Sequence, residues 1–498
     1  MVNINVNPNR IVGKRDKMIY GQFIEHFHRQ IYGGIYDPIS PLSNENGFRR
    51  DVMDALKKIT PSILRWPGGC FVSSYHWEDG VGERVAAFDK AWRVEEPNTF
   101  GTDEFVKYCK LLDCEPYICT NGGTGTAQEM SDWVEYCNLS YEGRYAKQRI
   151  KNGSQKPHGV KYWSIGNENY GPWEIGAKTA KEWSFLVREA AKMMKRVDPT
   201  IELSAAALPD VNWNLALLEQ GGEYLEWISI HEYWDFPGLT NELASYEQVM
   251  ALTSKLDTSI KKVEGILEAT GYSNKIKISF DEWNLRGWYH PYIHPVMSAK
   301  PEKYLTPRDK NDDNSTYTMA DTIFTGCFLN TLLRHSNSVK MANYSPAVNT
   351  RGLIYTHKDG LVLRGTYHVF DLFVNYMGED VIDLWQQESP EMMVTGKDGE
   401  PYSISQLDMV ATRKQKGNVA LSIINKHPKK SIEVTISCDE DKGGQWNLYT
   451  IEGDGIDDYN DVERPDNIKI HRKKVESMEG LIPLRIPPHS VNVLESGL

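Results

Sequence analysis

Between residues 19 and 377 the chain alternates short apolar runs with helical patterns, and that alternation narrows the fold more than any other feature. The runs are Ile19–Ile24, Ser62–Arg65, Pro116–Thr120, Val160–Ile165, Glu202–Ala206, Trp227–Ile230, Lys277–Phe280 and Val339–Tyr344. Each is bounded by turn residues and has the length of a buried parallel strand. Amphipathic helices are predicted between them. In Thr179–Val197, apolar residues recur at Ala180, Trp183, Val187, Ala190, Met194 and Val197, and the pattern stops at Asp198-Pro199. Val249–Leu267 and Met319–Leu333 read the same way. Eight strand-plus-helix units in roughly 360 residues match a (β/α)8 barrel, although a doubly wound sheet uses the same alternation.

After Gly378 the texture changes to short, β-branched, alternating runs: Met409–Thr412, Val419–Ile424, Ser431–Ser437, Trp446–Thr450 and Ser490–Leu494. Gly, Asp, Asn and Pro separate them, which predicts an antiparallel β-sandwich. Residues 2–12 alternate Val2, Ile4 and Val6 with asparagines and read as one further strand of that sheet. The expected organisation is a catalytic barrel over 18–377 and a sandwich domain built from 1–17 plus 378–498.

Composition excludes several functions. Against 56 Lys+Arg stand 68 Asp+Glu, a net charge of −12 with no basic block, so duplex nucleic acid is not an expected partner. No run of about 18 apolar residues exists to span a membrane. Residues 1–10 lack the basic-then-apolar pattern of a signal peptide. The seven cysteines (70, 109, 114, 119, 137, 327, 438) are irregularly spaced and form no CxxC pair, which fits a reduced, cytoplasmic protein. Several of the 14 tryptophans sit beside Gly, Pro or a carboxylate, as at Trp66, Trp77, Trp173 and Trp283. Such residues suit either a core or the stacking faces that hold sugars.

In a (β/α)8 barrel the reacting groups come from the C-terminal ends of the strands. Strand 1 delivers Glu25 and His26, strand 2 Arg65, strand 4 Asn167-Glu168-Asn169, strand 6 His231-Glu232-Tyr233 and strand 7 Asp281-Glu282. Glu168 and Glu282 face each other across one mouth. Hydrolysis of a glycosidic bond needs such a pair, one carboxyl protonated to serve the leaving oxygen and one ionised to meet the anomeric carbon. A neighbouring carboxylate raises the proton affinity of its partner, so one of the pair is expected above the usual carboxylate range. The alternative reading is that each glutamate caps a loop or pairs with Arg65. A metal-dependent hydrolase would use His26, His28, His231 and Asp281, but no lysine ends strand 4. A non-catalytic glycan-binding protein would not need both acids.

Trp163-Ser164-Ile165-Gly166-Asn167-Glu168 and Ile278-Ser279-Phe280-Asp281-Glu282-Trp283-Asn284 resemble the acid/base and nucleophile segments of glycoside hydrolase family 51. The resemblance extends to Gly21–His26, Ile31–Tyr36, Leu64–Gly69, His76–Gly82 and Gly171–Gly176, in order along nearly all of the barrel. It implies a retaining, exo-acting α-L-arabinofuranosidase with a (β/α)8 (TIM) barrel and a jelly-roll-like sandwich joined by the N-terminal strand. The substrates would be arabinose-containing oligosaccharides cut at non-reducing ends, with no metal or other cofactor. By the same resemblance Glu168 is the acid/base and Glu282 the nucleophile, and Asn167 holds the sugar 2-hydroxyl. Tyr233, with His231 beside it, orients the nucleophile; Glu25 and Arg65 line the glycone pocket, and Trp92 and Trp173 shape the rim. Two positions depart from part of the family. Cys70 stands where many members have an asparagine, and Gly365 where some have a glutamine. These keep open a related clan specificity, a xylosidase or endoglucanase. The resemblance also implies a homo-oligomer, a hexamer or smaller.

Overall fold

A computed structural model describes residues 2–237, 242–287, 312–415, 417–439 and 443–497. All eight predicted barrel strands form: Gly21–Phe23, Ile63–Trp66, Glu115–Thr120, Tyr162–Ile165, Glu202–Ala205, Trp227–Asp235, Lys277–Arg286 and Val339–Tyr344. Their order in the sheet, counted along the chain, is 5-4-3-2-1-8-7-6, and every neighbouring pair is parallel. A parallel bridge between Ala206 and Ser229 joins strand 5 to strand 6 and closes the barrel. The doubly wound alternative is therefore excluded.

Strands 6 and 7 run further than their apolar residues predict, to Asp235 and Arg286. Between the pairs Ser229–Ser279 and His231–Glu282 strand 7 carries one extra residue. Such a bulge breaks the strict alternation of side chains along a strand. Here it lets the consecutive carboxylates of Asp281 and Glu282 both reach Arg65.

The barrel interior is layered. At the bottom Met18, Ile63, Tyr117, Tyr162, Trp227 and Met341 form a closed apolar plug. Above it lies a polar layer in which Asp281 accepts from Tyr117 Oη (2.6 Å) and Ser229 Oγ (2.6 Å). The Glu168 and Glu282 carboxylates sit above that. The predicted helix over 179–197 runs Ala180–Val197, and Thr179 closes a capping box with Glu182. The single helix expected over Val249–Leu267 is broken instead into Tyr246–Leu252, a short 3-10 turn at Thr253–Lys255, and Thr258–Ala269. Thr253 and Ser254 hydroxyls donate to the Met250 and Ala251 carbonyls (2.6 and 2.8 Å). Such local side-chain bonds favour turns over continued helix.

Among the described residues the C-terminal region forms a nine-stranded, mostly antiparallel sheet and a separate hairpin of Glu391–Thr395 and Pro401–Ser405. The N-terminal strand Val2–Lys14 lies inside the nine-stranded sheet, antiparallel to Asp380–Gln386 and parallel to Ile432–Cys438. Val2, Ile4, Val6, Leu421, Val434, Trp446, Leu448, Ile482 and Leu494, from six different strands, meet in one apolar core, so the sheet folds over on itself as a sandwich. Its other face packs on the barrel. Val491 and Ile424 join the core shared with the helix Met319–Arg334, which is consequently buried on nearly every side.

Candidate active site

Glu168 follows the fourth strand in a tight turn. Gly166 has φ +65° and Glu168 itself has φ +45°, a left-handed conformation that ordinary residues seldom adopt. The turn is secured by the Gly171 N–H donating to the Glu168 carbonyl (2.7 Å). Glu168 Oε1 lies 2.8 Å from His231 Nδ1, and Oε2 accepts from Trp173 Nε1 (2.8 Å). Glu282 Oε2 accepts from Arg65 Nη1 (2.8 Å) and Oε1 from the Tyr233 hydroxyl (2.5 Å). Oxygens of Glu168 and Glu282 and a His231 nitrogen all lie within 4.8 Å of one another.

His231 stands among three carboxylates, with Nδ1 also 3.6 Å from Glu282 and Nε2 3.4 Å from Asp281. Burial disfavours its charge, but Glu282, Asp281 and Glu168 together raise its pKa to about 10. The consequence for Glu168, the acid/base by resemblance, runs against the sequence expectation. Burial pushes its pKa up, but the bonds from His231 and Trp173 bring it below the usual carboxylate value. Asp281 is likewise held low, against burial, by His231, Arg65 and Ser229. At neutral pH the ligand-free site therefore keeps its proton on the imidazole, one hydrogen bond from Glu168.

Two further carboxyls behave in the opposite way. Glu25, with Oε1 accepting from the Phe71 N–H (3.2 Å), is pushed up to about 8 by burial and then by Glu282. Glu174, which the sequence reading passed over, is pushed up to about 8 by burial and by Glu168. Gly68 and Gly69 make room for this crowding. A Cβ at Gly68 would fall 2.5 Å from Glu25 Cγ, and one at Gly69 3.3 Å from Glu282 Oε2.

The predicted residues converge unequally. Glu25, Asn167, Glu168, Trp173, His231, Tyr233 and Glu282 share the mouth. Arg65 is fully buried beneath it, donating also to Asn167 Oδ1 (2.8 Å), so it meets the mouth through Glu282 and Asn167 rather than lining it. Cys70 Sγ lies within 4.8 Å of Glu168 and Glu174 oxygens, and burial and those carboxylates push its thiol well up. Trp92 packs on Phe27, ring centroids 4.0 Å apart, in the wall behind Glu25 and His26. Trp66, Trp77 and Trp283 are buried core residues, the first and last of them on barrel strands; of these and Trp173 only Trp173 donates to the Glu168 carboxylate. A Cβ at Gly365 would press on Thr322 Oγ1 (2.1 Å) and Ile468, not on the site. Trp288, which in Arg286-Gly287-Trp288 could align with the family's tryptophan after the nucleophile in two ways, lies outside the described residues. Instead Arg351, from the loop after strand 8, stacks over Tyr233 and donates to its hydroxyl (3.1 Å). Nothing in the sequence around Arg351 singles it out; only the fold carries it there.

Two donor sets among the described residues could hold a metal, Cys70–Glu168–Glu174 and Glu168–His231–Glu282. In both, the carboxylates already accept hydrogen bonds from the protein, and the thiol holds its proton tightly. The set of His26, His28, His231 and Asp281 that a metal-dependent hydrolase would use is not among these donor clusters of the described residues. His26 points to Glu96 (3.1 Å) and accepts from Trp66 Nε1 (3.0 Å), stacked on Phe71 away from His231.

Comparison with known proteins agrees along the chain. Residues 55–251 match the α-L-arabinofuranosidase 1 domain family, and residues 281–490 the α-L-arabinofuranosidase C-terminal domain family. The chain is 35% identical to α-L-arabinofuranosidase C of Emericella nidulans, over 91% of this chain and 89% of the relative. It is 35% identical to an intracellular exo-α-(1→5)-L-arabinofuranosidase of Halalkalibacterium halodurans, over 86% and 85%. The structure of a thermostable GH51 α-L-arabinofuranosidase from Thermotoga petrophila superposes with a TM-score of 0.87 at 35% identity, covering 100% of both chains.

Proposed function

Because the chain belongs to the α-L-arabinofuranosidases of glycoside hydrolase family 51, we propose that it is a retaining, exo-acting enzyme of that specificity. It would release L-arabinose from the non-reducing ends of arabino- or arabinoxylo-oligosaccharides. The observation that carries the mechanism is the Glu168–Glu282 spacing, closest oxygens within 4.8 Å. Retaining glycosidases place their carboxyls roughly 5–5.5 Å apart, whereas inverting enzymes need about 6.5–9.5 Å to admit a water.

In this reading Glu282 attacks the anomeric carbon, oriented by Tyr233 and Arg65. Glu168 passes to the leaving oxygen the proton it shares with His231. Forming the glycosyl ester removes the Glu282 charge, one of the three that hold that proton on His231, so nucleophilic attack itself loosens the proton. In the second step Glu168 takes a proton from water, and the hydroxide formed releases arabinose. Asn167 holds the 2-hydroxyl, a contact that strengthens in the transition state. Glu25 faces the glycone, and Trp173 fixes the acid/base at the rim. We place the enzyme in the cytoplasm, a reading supported by the Halalkalibacterium relative, which is named as intracellular, and assign it a homo-oligomeric state to be measured by sedimentation.

The test is a panel of aryl α-L-arabinofuranoside, xyloside and glucoside substrates on wild type, Glu282→Ala and Glu168→Ala, with the anomer of the first product followed by NMR. Arabinofuranoside turnover with retention is expected, abolished in Glu282→Ala. In Glu168→Ala, azide should restore part of the rate on substrates with good leaving groups. A higher rate on xyloside or glucoside would replace this specificity with the related clan one, and net inversion would overturn the mechanism.

A further inference from the structure

We propose that Glu174 is a positioning residue: through Asn167 it sets the contact made to the sugar 2-hydroxyl in the transition state. The inference rests on the function proposed above and adds a residue to it.

The geometry is a reciprocal clamp between two dipeptides. Trp173 donates to Glu168 Oε2 (2.8 Å), and the next residue, Glu174, accepts at Oε1 from Asn167 Nδ2 (2.9 Å). The loop 171–176 thus grips the two consecutive residues at the end of strand 4. Asn167 is held from both ends, because its Oδ1 accepts from Arg65 Nη2 (2.8 Å). Only one amide orientation satisfies both neighbours. Flipped, the amide would set its N–H groups against the guanidinium and its oxygen against the carboxyl. A side-chain amide has two N–H donors and Glu174 uses one, so the second remains for a ligand in a fixed direction.

Glu174 is itself anchored. Ser73 Oγ donates to its Oε2 (2.7 Å) from the segment after strand 2, the same segment that carries Cys70. Asn167 and Glu174 are 1% and 5% exposed, so water does not compete for these bonds. The arrangement joins the loop after strand 2 to the end of strand 4 and converges on one amide. A structural cross-link has no need of that amide; a device for aiming an N–H does.

The experiment compares wild type, Glu174→Ala, Asn167→Ala and the double variant on an aryl α-L-arabinofuranoside and on its 2-deoxy analogue, corrected for spontaneous hydrolysis. Glu174→Ala should lower kcat/KM on the parent substrate by roughly ten- to a hundredfold, the scale of losses from slight misplacement of a catalytic contact. The loss should fall mainly on kcat. On the 2-deoxy substrate the same change should be within about threefold of wild type, and the double variant should be no worse than Asn167→Ala. Glu174→Gln keeps an oxygen for Asn167 and should recover most of the activity, which separates aiming from mere folding. Equal losses on both substrates, or losses that multiply in the double variant, would overturn the role of Glu174. If wild type does not hydrolyse the arabinofuranoside, or Glu282→Ala still does, it is the proposed function that fails instead.

Discussion

His231 offers the sharpest perturbation of the proposed chemistry, because a single ring holds the charge balance of three carboxylates. Replacing it with asparagine removes a cation whose Nδ1 lies 2.8 Å from Glu168 Oε1 and leaves Arg65 bonded to Glu282 and Asn167 but not to Glu168. Opposite unit charges about 4 Å apart attract by about 4 kcal/mol at an effective dielectric of 20. That energy corresponds to roughly a thousandfold in the proton affinity of Glu168. In wild type the shared proton leaves only as the pH approaches the imidazole value of about 10. In His231→Asn the only proton available is that of Glu168, whose carboxyl rises from below its usual value toward neutrality. The alkaline limb of kcat/KM on an arabinofuranoside with a poor leaving group must therefore move toward acid by about two pH units or more. A dinitrophenyl leaving group, which needs no proton, should show little movement.

Stability gives a second readout. The folded-state pKa of His231 is raised above the unfolded 6.5, so its contribution is fully present below 6.5 and is lost as the pH rises through about 10. The gap in Tm between wild type and His231→Asn should be widest near pH 6 and close toward pH 10. Coincident alkaline limbs for the two enzymes would refute the shared-proton reasoning, whatever the loss in absolute rate.

Other outcomes follow from the same geometry. Trp173→Phe removes the N–H on Glu168 Oε2 (2.8 Å) and should cost about 1.5–3 kcal/mol in kcat/KM on poor leaving groups, with Tm nearly unchanged by thermal melt. Asp321→Ala strips Arg286 of its bidentate partner (2.9 and 3.0 Å) inside the protein; a loss of about 3 kcal/mol is expected by urea titration, partly recovered by adding Arg286→Met. Gly166→Ala would set a Cβ 2.1 Å from Asn169 Oδ1 and 2.3 Å from the Trp183 ring at φ +65°. It should destabilise by about 2–4 kcal/mol in the same titration and lower activity by displacing Glu168. Prolonged chelation should leave turnover unchanged, since no proposed step uses a metal.

How much of this was legible in the sequence depended on whether a position announced itself by hydropathy. The eight barrel strands did, because strands buried on both faces must be apolar runs. Their polar extensions did not. His231–Asp235 and Asp281–Arg286 continue strands 6 and 7 with charged and polar residues between the core-facing Trp234, Trp283 and Leu285, so no continuous apolar run marks them. The sandwich's edge strands were hidden for a related reason. Lys469–Ser477 is mostly exposed and basic, and Leu481–Ile486 carries Pro483; both devices discourage edge-to-edge pairing and erase the alternation that marks a strand.

At the site, the motifs around Glu168 and Glu282 were legible, but their electrostatics were not. From two facing glutamates the sequence supports one inference, that each raises the other's proton affinity. The effect is real, but it falls elsewhere. The imidazolium of His231 lies between the pair and lowers Glu168, while the crowding of negative charge is expressed in Glu25 and Glu174, both pushed up to about 8. Neither could be assigned from spacing, because burial raises each first and the neighbouring charges and donors only then divide the carboxyls. Arg65 and His231 serve Asp281, Glu282 and Glu168, and Arg351 is engaged with Tyr233. Glu25 and Glu174 are left with neutral donors, Phe71 N–H for one and Ser73 and Asn167 for the other. A carboxyl buried among neutral donors beside an anion keeps its proton more readily. Glu25 and Glu174, which the proposed function sets at the glycone and behind Asn167, can thus stay uncharged at neutral pH, while the cations hold Asp281, Glu282 and Glu168.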